Sequence, residues 1–153
     1  PLKIAFPGLK ITLLDSLNKR VGFLNEVIET LGLTDITAVH GRAEDYGHDA
    51  KHREQYDLCV SRAVANMSTL SEYCIPFVKK GGYFIPYKSG KADEEIAQAR
   101  SAVKKLGGEM KDIIVKVLPE TDVERTFVPV KKMAITAKKY PRKAGLPGKE
   151  PLK

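Results

Sequence analysis

The sequence predicts an α/β layered fold with a mostly parallel sheet that ends in an antiparallel pair of strands. Short apolar runs of strand length alternate with longer segments in which apolar residues recur at helical spacing. The last two apolar runs are separated by a polar turn and no helix. Strands that alternate with helices build parallel sheets, whereas two strands joined by a short turn pair antiparallel.

The first strand and helix span residues 11–32 and carry the first candidate site residue. Ile11–Leu14 is a strand-length apolar run, and the helical spacing that follows it continues until Gly32. Asp15 therefore lies at the carboxyl end of a strand, where open α/β sheets bind ligands and where a carboxylate can accept both hydroxyls of a ribose. The alternative is that Asp15, or Ser16 beside it, caps the helix.

Two further strands are predicted to end in polar residues. The apolar run at 36–39 leads into His-Gly-Arg-Ala-Glu-Asp, and the run at 56–60 leads into Ser-Arg-Ala. The intervening residues 47–55 are polar and charged, which predicts a loop or a short exposed helix. Parallel strands end at one edge of a sheet, so we expect these polar ends to share a rim with Asp15.

The second half of the chain completes the alternation of helices and strands. Helices are predicted from Ser68 or Thr69 to Val78 and from Lys91 to Leu106, and strands at 83–88, 113–118 and 126–130. We expect Lys79 and Lys80 in the last turn of the helix that starts at Ser68 or Thr69. Gly81–Gly82 should end this helix, and Gly107–Gly108 should end the helix that starts at Lys91. Pro86 predicts a strand end or a bulge, because proline lacks the N–H that a central strand donates.

Composition limits the class of protein. The 153 residues, 42% of them hydrophobic, suffice for one sizeable core. No apolar run approaches the roughly 18 residues of a membrane span. The two cysteines lie in apolar segments, and the three histidines have no partners at ligand spacing. We therefore expect buried thiols, a cytoplasmic location, no membrane contact and no metal.

The net charge of +7 is concentrated at the C-terminus. Residues 131–153 hold eight basic residues and one acid, and the rest of the chain is balanced. We interpret residues 133–153 as a basic arm that binds a polyanion, and residues 1–132 as the core domain. The alternative is a solvated, disordered terminus that its charges keep soluble.

Five segments of the sequence resemble one known family. They are LLDSLNKRVGFL at 13–24, HGRAED at 40–45, YDLCVSRAVA at 56–65, FVKKGGYF at 77–84 and KKYPRKAGLPGKEPL at 138–152. Together they are similar to the RsmG/GidB family of bacterial 16S ribosomal RNA guanine-N7 methyltransferases, over essentially the whole chain. The resemblance implies a Rossmann-like class I S-adenosylmethionine-dependent methyltransferase fold with an antiparallel final strand.

The resemblance also implies which residues bind the cofactor. Asp15, with Ser16 beside it, would bind the ribose hydroxyls of S-adenosylmethionine. Ala43 and Glu44 would flank the adenine, with a backbone N–H of one of them on a ring nitrogen. Arg62 would face the cavity where the cofactor and the target base meet.

Two arginines are the candidate catalytic residues. Arg62 matches the family's cofactor-site arginine, and Arg125, before the final strand, matches an arginine that the family needs for activity. The alternatives are a strand-end ion pair for Arg62 and a surface pair with Glu124 for Arg125. N7 of guanine carries no proton at neutral pH, so its methylation requires positioning and no general base.

The implied partner is 16S ribosomal RNA or the small ribosomal subunit. Our candidate contacts are Lys88 and, in the basic arm, Lys139, Tyr140, Arg142 and Lys143. Tyr140 would stack on a base or, alternatively, pack the arm onto the core. Neutralising the arm's Lys139, Arg142 and Lys143 together is expected to flatten the salt dependence of RNA binding and to leave cofactor affinity unchanged.

One departure from the family pattern concerns the N-terminus. The family has a first strand and a glycine-rich loop that the given sequence lacks, and Phe6-Pro7-Gly8 corresponds to a later turn. We therefore expect the chain to be a piece of a longer protein. A chain that began at Pro1 would leave strand edges unpaired and would bind the cofactor poorly.

Two other functions remain open at this point, and we expect a monomer in each case. A nicotinamide-dependent oxidoreductase fragment would also use a ribose-binding Asp15. A non-enzymatic ribosome-binding or RNA-binding module could retain the scaffold without a cofactor pocket. Hydride transfer calls for neither the polar strand end at 40–45 nor the basic arm, whereas calorimetry with S-adenosylhomocysteine would decide on the module.

Overall fold

The computed structural model describes residues 1–62, 64–89 and 92–153 and divides them into two compact units, Pro1–Ala43 and Glu44–Lys153. The helices are α1 (Leu2–Ala5), α2 (Asn18–Thr30), α3 (Ala43–Tyr46), α4 (Met67–Cys74), α5 (Asp93–Lys105) and α6 (Leu146–Lys149). The strands are β1 (Ile11–Asp15), β2 (Ile36–His40), β3 (Tyr56–Arg62), β4 (Val78–Ser89), β5 (Gly108–Met110), β6 (Ile114–Val117), β7 (Glu124–Phe127) and β8 (Val130–Lys132).

The first unit contains the predicted strand and helix of residues 11–32. Strands β1 and β2 pair in parallel, and their register runs from Ile11 opposite Ile36 to Asp15 opposite His40. Helix α2 follows β1 and ends just before Gly32, whose φ of +57° is the left-handed conformation that glycine adopts readily. The predictions of both strands and of this helix are confirmed.

The second unit is organised around the long strand β4. Strand β3 lies along one edge of β4 in parallel, and β7 and β8 lie along the other edge in antiparallel orientation. Strand β6 pairs antiparallel with β7, and β5 pairs antiparallel with β8. The predicted closing hairpin is therefore present, while β5 was not predicted, because Gly107–Gly108 suggested only a helix end.

The prediction of one continuous strand at 126–130 is wrong, because the structure has two strands, β7 and β8, in this region. Residues Val128–Pro129 separate β7 from β8, because Pro129 cannot donate to a ladder. Pro86 lies inside β4 and not at its end, and its carbonyl oxygen accepts from the N–H of Val128 at 3.3 Å. Pro86 therefore lies opposite the interruption between the two partner strands, and it has no N–H with which to return the bond from Val128.

The predicted helix at 68–78 is also too long. Helix α4 ends at Cys74, a 3₁₀ turn covers Ile75–Phe77, and Lys79 and Lys80 already belong to β4. Pro76 explains the early end, because a proline inside a helix removes one hydrogen bond and clashes with the preceding turn. The expected placement of both lysines in a last helical turn is therefore wrong.

Gly81 and Gly82 lie within β4 and do not end a helix. The pairing of β3 with β4 shifts here, because Tyr56 is opposite Val78 whereas Leu58 is opposite Tyr83. A Cβ atom on Gly82 would lie 2.5 Å from the carbonyl oxygen of Asp57. The close approach of the two backbones requires glycine at this position.

The core of the second unit lies between one face of its sheet and helices α4 and α5. Its largest fully buried apolar side chains are Phe84, Met67, Ile75, Ile96, Leu106, Val78, Val103, Val128 and Val130. Burial of each such side chain stabilises the fold by about 1.5–3 kcal/mol. The predicted start of the second helix at Lys91 and the strand-end Ala63 fall outside the described residues.

The C-terminal segment 133–153 packs along the same unit. It contains α6, and Tyr140 within it is 8% exposed and belongs to the core cluster. Among the described residues, no helix has the length and the apolar character to span a membrane.

Candidate active site

Asp15 ends β1 and retains hydrogen-bonding capacity. Its Oδ1 accepts from the N–H of Leu17 at 2.8 Å, and its Oδ2 lies 3.5 Å from Nη1 of Arg20. The N-cap residue of α2 is Leu17, and α2 receives no side-chain cap. Asp15 therefore shapes the turn before the helix and leaves Oδ2 with one long contact. Ser16 beside it is exposed.

Ala43 and Glu44 are the first two residues of α3. The N–H groups of a first helical turn have no acceptor within the helix, which leaves them available to a ligand. The side chain of Glu44 is not available, because Glu44 is 5% exposed and its Oε1 accepts from the N–H of Gly145 at 2.8 Å. The structure thus gives the Glu44 carboxylate a structural contact that the sequence did not predict.

Arg62 and Arg125 lie at the same end of the second sheet. Arg62 is the last residue of β3 and pairs with Tyr87, and Arg125 pairs with Ser89 two positions further along β4. Residues 87 and 89 share one face of β4, so both arginines emerge on that face. They are separated by two strand spacings across β4, about 10 Å, and by two residues along it, about 7 Å. The sequence predicted a strand that begins just after Arg125, but β7 begins at Glu124, so Arg125 lies within this strand.

This face also carries an aromatic pair between the arginines. Tyr87 and Phe127 are cross-strand partners, and their ring centroids are 4.9 Å apart in an edge-to-face arrangement. On β6, Lys116 pairs with Arg125 and adds a third cation to the face. The carboxyl end of β4 therefore presents cations around an apolar ring pair, which suits an electron-rich base with its phosphates.

The sequence left open an ion pair for Arg62 and a surface pair with Glu124 for Arg125. Within the described part of the chain, no hydrogen bond or ion pair reaches the guanidinium of Arg62, which is exposed. Arg125 Nη1 donates to the backbone carbonyl of Glu124 at 2.9 Å and forms no described ion pair with its carboxylate. Both guanidinium groups are consequently available for further contacts.

Lys88 is placed differently from the arginines. It pairs with Thr126, and its position between residues 87 and 89 puts it on the opposite face of β4. Its Nζ donates to the carbonyl of Ala65 at 2.8 Å and to Glu95 Oε1 at 2.6 Å. Its side chain is only 13% exposed. A structural role thus accounts for Lys88 without RNA.

The basic C-terminal segment is anchored and its cations differ in exposure. Tyr140 is buried, as the packing alternative predicted. Arg142 donates from Nη2 and Nε to the carboxylate of Glu72 at 2.7 and 2.9 Å, and its backbone N–H donates to the same carboxylate at 2.7 Å. Lys139 and Lys143 are exposed. The segment is therefore a packed structure that offers lysines to solvent.

Sequence reasoning missed the side chains that hold this segment. Glu72 is fully buried, and its hydrogen bonds with Arg142, together with its negative charge, raise the pKa of Arg142 above its ordinary value. Arg53 donates to the backbone carbonyls of Thr136 and Tyr140 at 2.7 and 2.8 Å. One signal was available in the sequence, because Glu72 is the only charged residue of α4.

A second buried ion pair lies where the segment begins. Lys132 is 1% exposed, and its Nζ donates to Ile75 O at 2.9 Å and lies 3.1 Å from Glu54 Oε1. Burial lowers the pKa of Lys132, and Glu54 partly opposes this shift. Glu54 also accepts from the N–H of Thr136 at 2.8 Å.

The two cysteine thiols of the chain interact with each other in the second unit. Cys59 and Cys74 are both free, and the neighbouring thiol together with burial raises the pKa of Cys74 well above its ordinary value. Such a thiol is a poor nucleophile. In the parts of the chain that the structure describes, no group of three or more metal-ligating side chains occurs.

Comparison with known proteins decides the family. A family model described as rRNA small subunit methyltransferase G matches residues 1–128. The chain belongs to the rRNA small subunit methyltransferase G (GidB) family. Proteins named ribosomal RNA small subunit methyltransferase G from Lachnoclostridium phytofermentans and from Clostridium botulinum strain Loch Maree are 54% and 55% identical to it. This assignment favours the methyltransferase interpretation over the oxidoreductase alternative.

The GidB-family chain is shorter than these relatives. The matches cover 99% and 100% of the chain but 63% and 64% of the two relatives, so it spans just under two thirds of their length.

Solved structures agree on the fold. A SAM-dependent methyltransferase from Methanosarcina mazei has a TM-score of 0.62 at 12% identity, over 86% of each chain. An rRNA methylase from Streptococcus thermophilus has a TM-score of 0.57 at 13% identity, over 82% of this chain and 74% of its own. The predicted class I methyltransferase fold is confirmed.

Proposed function

We propose that this chain binds S-adenosylmethionine and transfers its methyl group to N7 of a guanine in 16S ribosomal RNA. The observation that carries the proposal is the pair of guanidinium groups of Arg62 and Arg125, which form no ion pair with the described residues and lie on one face at the carboxyl ends of β3 and β4. Ligands of open α/β sheets bind at that end. Family membership supplies the reaction class.

Two features of the chain, each taken by itself, suit the adenosine part of the cofactor. Asp15 Oδ2 can accept from a ribose hydroxyl, because its only described contact is the long one to Arg20. The first-turn N–H groups of α3 can meet acceptor nitrogens of an adenine. When bound, S-adenosylmethionine supplies a methyl group activated by its sulfonium charge.

Positioning of the guanine is the task of the chain's own side chains. N7 has a free lone pair, so no proton has to be removed and alignment contributes most of the acceleration. An arginine that bound N7 and O6 together would block the reacting atom. Arg62 and Arg125 therefore bind O6 alone or a neighbouring phosphate, and the Tyr87–Phe127 pair provides an apolar surface beside them.

The reacting edge restricts the RNA substrate. In an A-form helix, N7 lies in a deep, narrow groove that side chains do not enter. The target guanine must therefore be unpaired in a loop or flipped out of its stack.

The RNA backbone is assigned to exposed lysines of the arm. We retain Lys139 and Lys143 as phosphate contacts, because both are exposed. Lys88, Tyr140 and Arg142 were also predicted to bind RNA, and their protein contacts give them a supporting role here. We retain the division into core and arm, the cytoplasmic location and the monomeric state as parts of the proposal.

Binding measurements test this function against its alternatives. Calorimetry should show that the chain binds S-adenosylhomocysteine and shows no heat with NAD. Tritium from labelled S-adenosylmethionine should then appear in small-subunit RNA. RNA binding without any response to S-adenosylhomocysteine would instead favour a non-enzymatic module.

A further inference from the structure

The residues that follow the candidate adenine position have little secondary structure of their own. Between Glu44 and Glu54 the backbone forms the remainder of α3 and turns. Side chains of this stretch reach the C-terminal segment repeatedly. Glu44 Oε1 accepts from Gly145 N–H, His48 Nε2 lies 2.6 Å from Pro141 O, and Arg53 Nη1 donates to Tyr140 O. The C-terminal segment therefore holds residues 44–54 in place.

Within the C-terminal segment, Arg142 has the strongest anchor. Glu72 is 0% exposed, and its carboxylate receives the Nε, Nη2 and backbone N–H of Arg142. A buried carboxylate without such partners is strongly destabilising. Gly145 follows three residues later at a φ of +83°, so the seating of Arg142 fixes where the Gly145 N–H points.

We propose that Glu72 is a positioning residue for the cofactor site. By seating Arg142, it places the Gly145 N–H on the carboxylate of Glu44, and Glu44 in turn fixes the first turn of α3. The inference rests on the proposed function, because it assigns the first-turn N–H of Glu44 to the adenine. The stretch 142–145 thereby connects the two predicted sites. It contains Arg142 and Lys143, which the sequence assigned to RNA, and its Gly145 N–H binds Glu44, which was assigned to the cofactor.

The carboxylate of Glu54 provides a matched control for the series of contacts from Glu72 to Glu44. Glu54 also uses one carboxylate to bind a backbone N–H and a basic side chain of the C-terminal region, those of Thr136 and Lys132. Its contacts lie where the segment begins, and not at Gly145. Glu72→Gln and Glu54→Gln thus remove the same kind of interaction from two different places.

The experiment measures site-specific exchange and cofactor affinity in both variants. In Glu72→Gln, hydrogen exchange at the Gly145 amide should accelerate about tenfold or more, and S-adenosylhomocysteine should bind about tenfold more weakly by calorimetry. In Glu54→Gln, the midpoint of urea unfolding should fall while exchange at Gly145 and the affinity stay close to those of the unaltered chain. Unchanged exchange and affinity in Glu72→Gln, or equal losses in both variants, would overturn the proposal.

A second variant guards against misfolding of Glu72→Gln. Arg142→Lys keeps the positive charge beside Glu72 but loses the guanidinium fork. It should accelerate exchange at Gly145 and weaken S-adenosylhomocysteine binding, both to a smaller extent than the glutamine variant. A folded Arg142→Lys with unaltered exchange at Gly145 contradicts the proposal. If the unaltered chain binds no S-adenosylhomocysteine, the proposed function fails, whereas the exchange data still decide whether Glu72 positions Glu44.

Discussion

Substitution of Asp15 by asparagine separates its structural contact from its proposed binding role. The side-chain oxygen of the introduced amide can still accept from the N–H of Leu17, as Asp15 Oδ1 does at 2.8 Å. The substitution removes the negative charge and replaces Oδ2 by a donor group. The turn before α2 should therefore persist, while the acceptor offered to a ribose is lost.

The expected loss follows from the contacts that remain. Hydrogen bonds to charged groups contribute about 1.5–3 kcal/mol. Loss of one such bond corresponds to roughly a 10- to 150-fold weaker binding of S-adenosylhomocysteine. The contact of Arg20 with Oδ2 is long and largely exposed, so its loss should cost little stability. Asp15→Ala should show the same weakening plus about 1 kcal/mol of lost stability from the unpaired Leu17 N–H.

Isothermal titration calorimetry with S-adenosylhomocysteine and urea unfolding of the same samples provide the two measurements. Glu29→Gln is the matched control, because it removes an exposed carboxylate from α2 in the same unit. An Asp15→Asn chain that binds as tightly as the unaltered chain would refute the assignment of Asp15 to the ribose. If Asp15→Asn and Glu29→Gln weaken binding of S-adenosylhomocysteine equally, the effect of Asp15→Asn is a general effect of lost negative charge and not the loss of a ribose contact.

Four further outcomes are expected. Lys139→Ala combined with Lys143→Ala should lower the slope of log affinity for single-stranded RNA against log salt by about 1.4, and an unchanged slope in filter binding would exclude both as phosphate contacts. Arg62→Ala should slow methyl transfer about 100-fold or more without changing the urea midpoint, because its exposed guanidinium has no described protein contact. Burial lowers the pKa of Lys132, so the ammonium group of Lys132 holds its proton less tightly in the folded chain than in the unfolded chain. The free energy of unfolding, measured relative to Lys132→Met, should therefore increase as the pH rises toward about 10.5. A difference between the two chains that stays constant with pH in urea unfolding would contradict this. Gly107→Ala should destabilise by about 1–3 kcal/mol in urea unfolding, because Gly107 has a φ of +85° and a Cβ would overlap a backbone carbonyl; a loss within about 0.5 kcal/mol would contradict the strain.

Local periodicity sufficed for most elements and failed at prolines. The 11–32 unit and the closing hairpin were predictable, because each depends on apolar spacing and turn residues. Pro76 and Pro129 each shortened an element, since the spacing of apolar residues continues across a proline while the backbone hydrogen bonds do not. The short strand β5 has too few residues to show a period.

The candidate site was predictable only where it depends on strand ends. Arg62 and Arg125 lie on one face because β3 and β7 both pair with β4, whereas the sequence had placed the two residues only at or next to strand ends. The contacts of Arg142 with Glu72 and of Gly145 with Glu44 join residues far apart in sequence, and no local pattern indicates such pairs. Composition also does not distinguish Arg142, whose guanidinium binds the buried carboxylate of Glu72, from Lys143, which is exposed to solvent.

This difference changes an expectation about the basic arm. From the sequence, neutralising Lys139, Arg142 and Lys143 together should affect RNA binding alone. In the structure, Arg142 holds the stretch that reaches Glu44, so we now expect the triple variant to weaken cofactor binding as well. A double variant of the two lysines should isolate the RNA contribution.

Nucleoside mass spectrometry after methyl transfer tests the central proposal most directly. The chain is incubated with labelled S-adenosylmethionine and with small-subunit RNA that lacks the modification, and the digested RNA is analysed. We predict labelled 7-methylguanosine, formed more slowly by Asp15→Asn at limiting S-adenosylmethionine and by Arg62→Ala at any S-adenosylmethionine concentration. Label on another atom or another base, or no label from a chain that demonstrably binds S-adenosylhomocysteine, would contradict the proposed reaction.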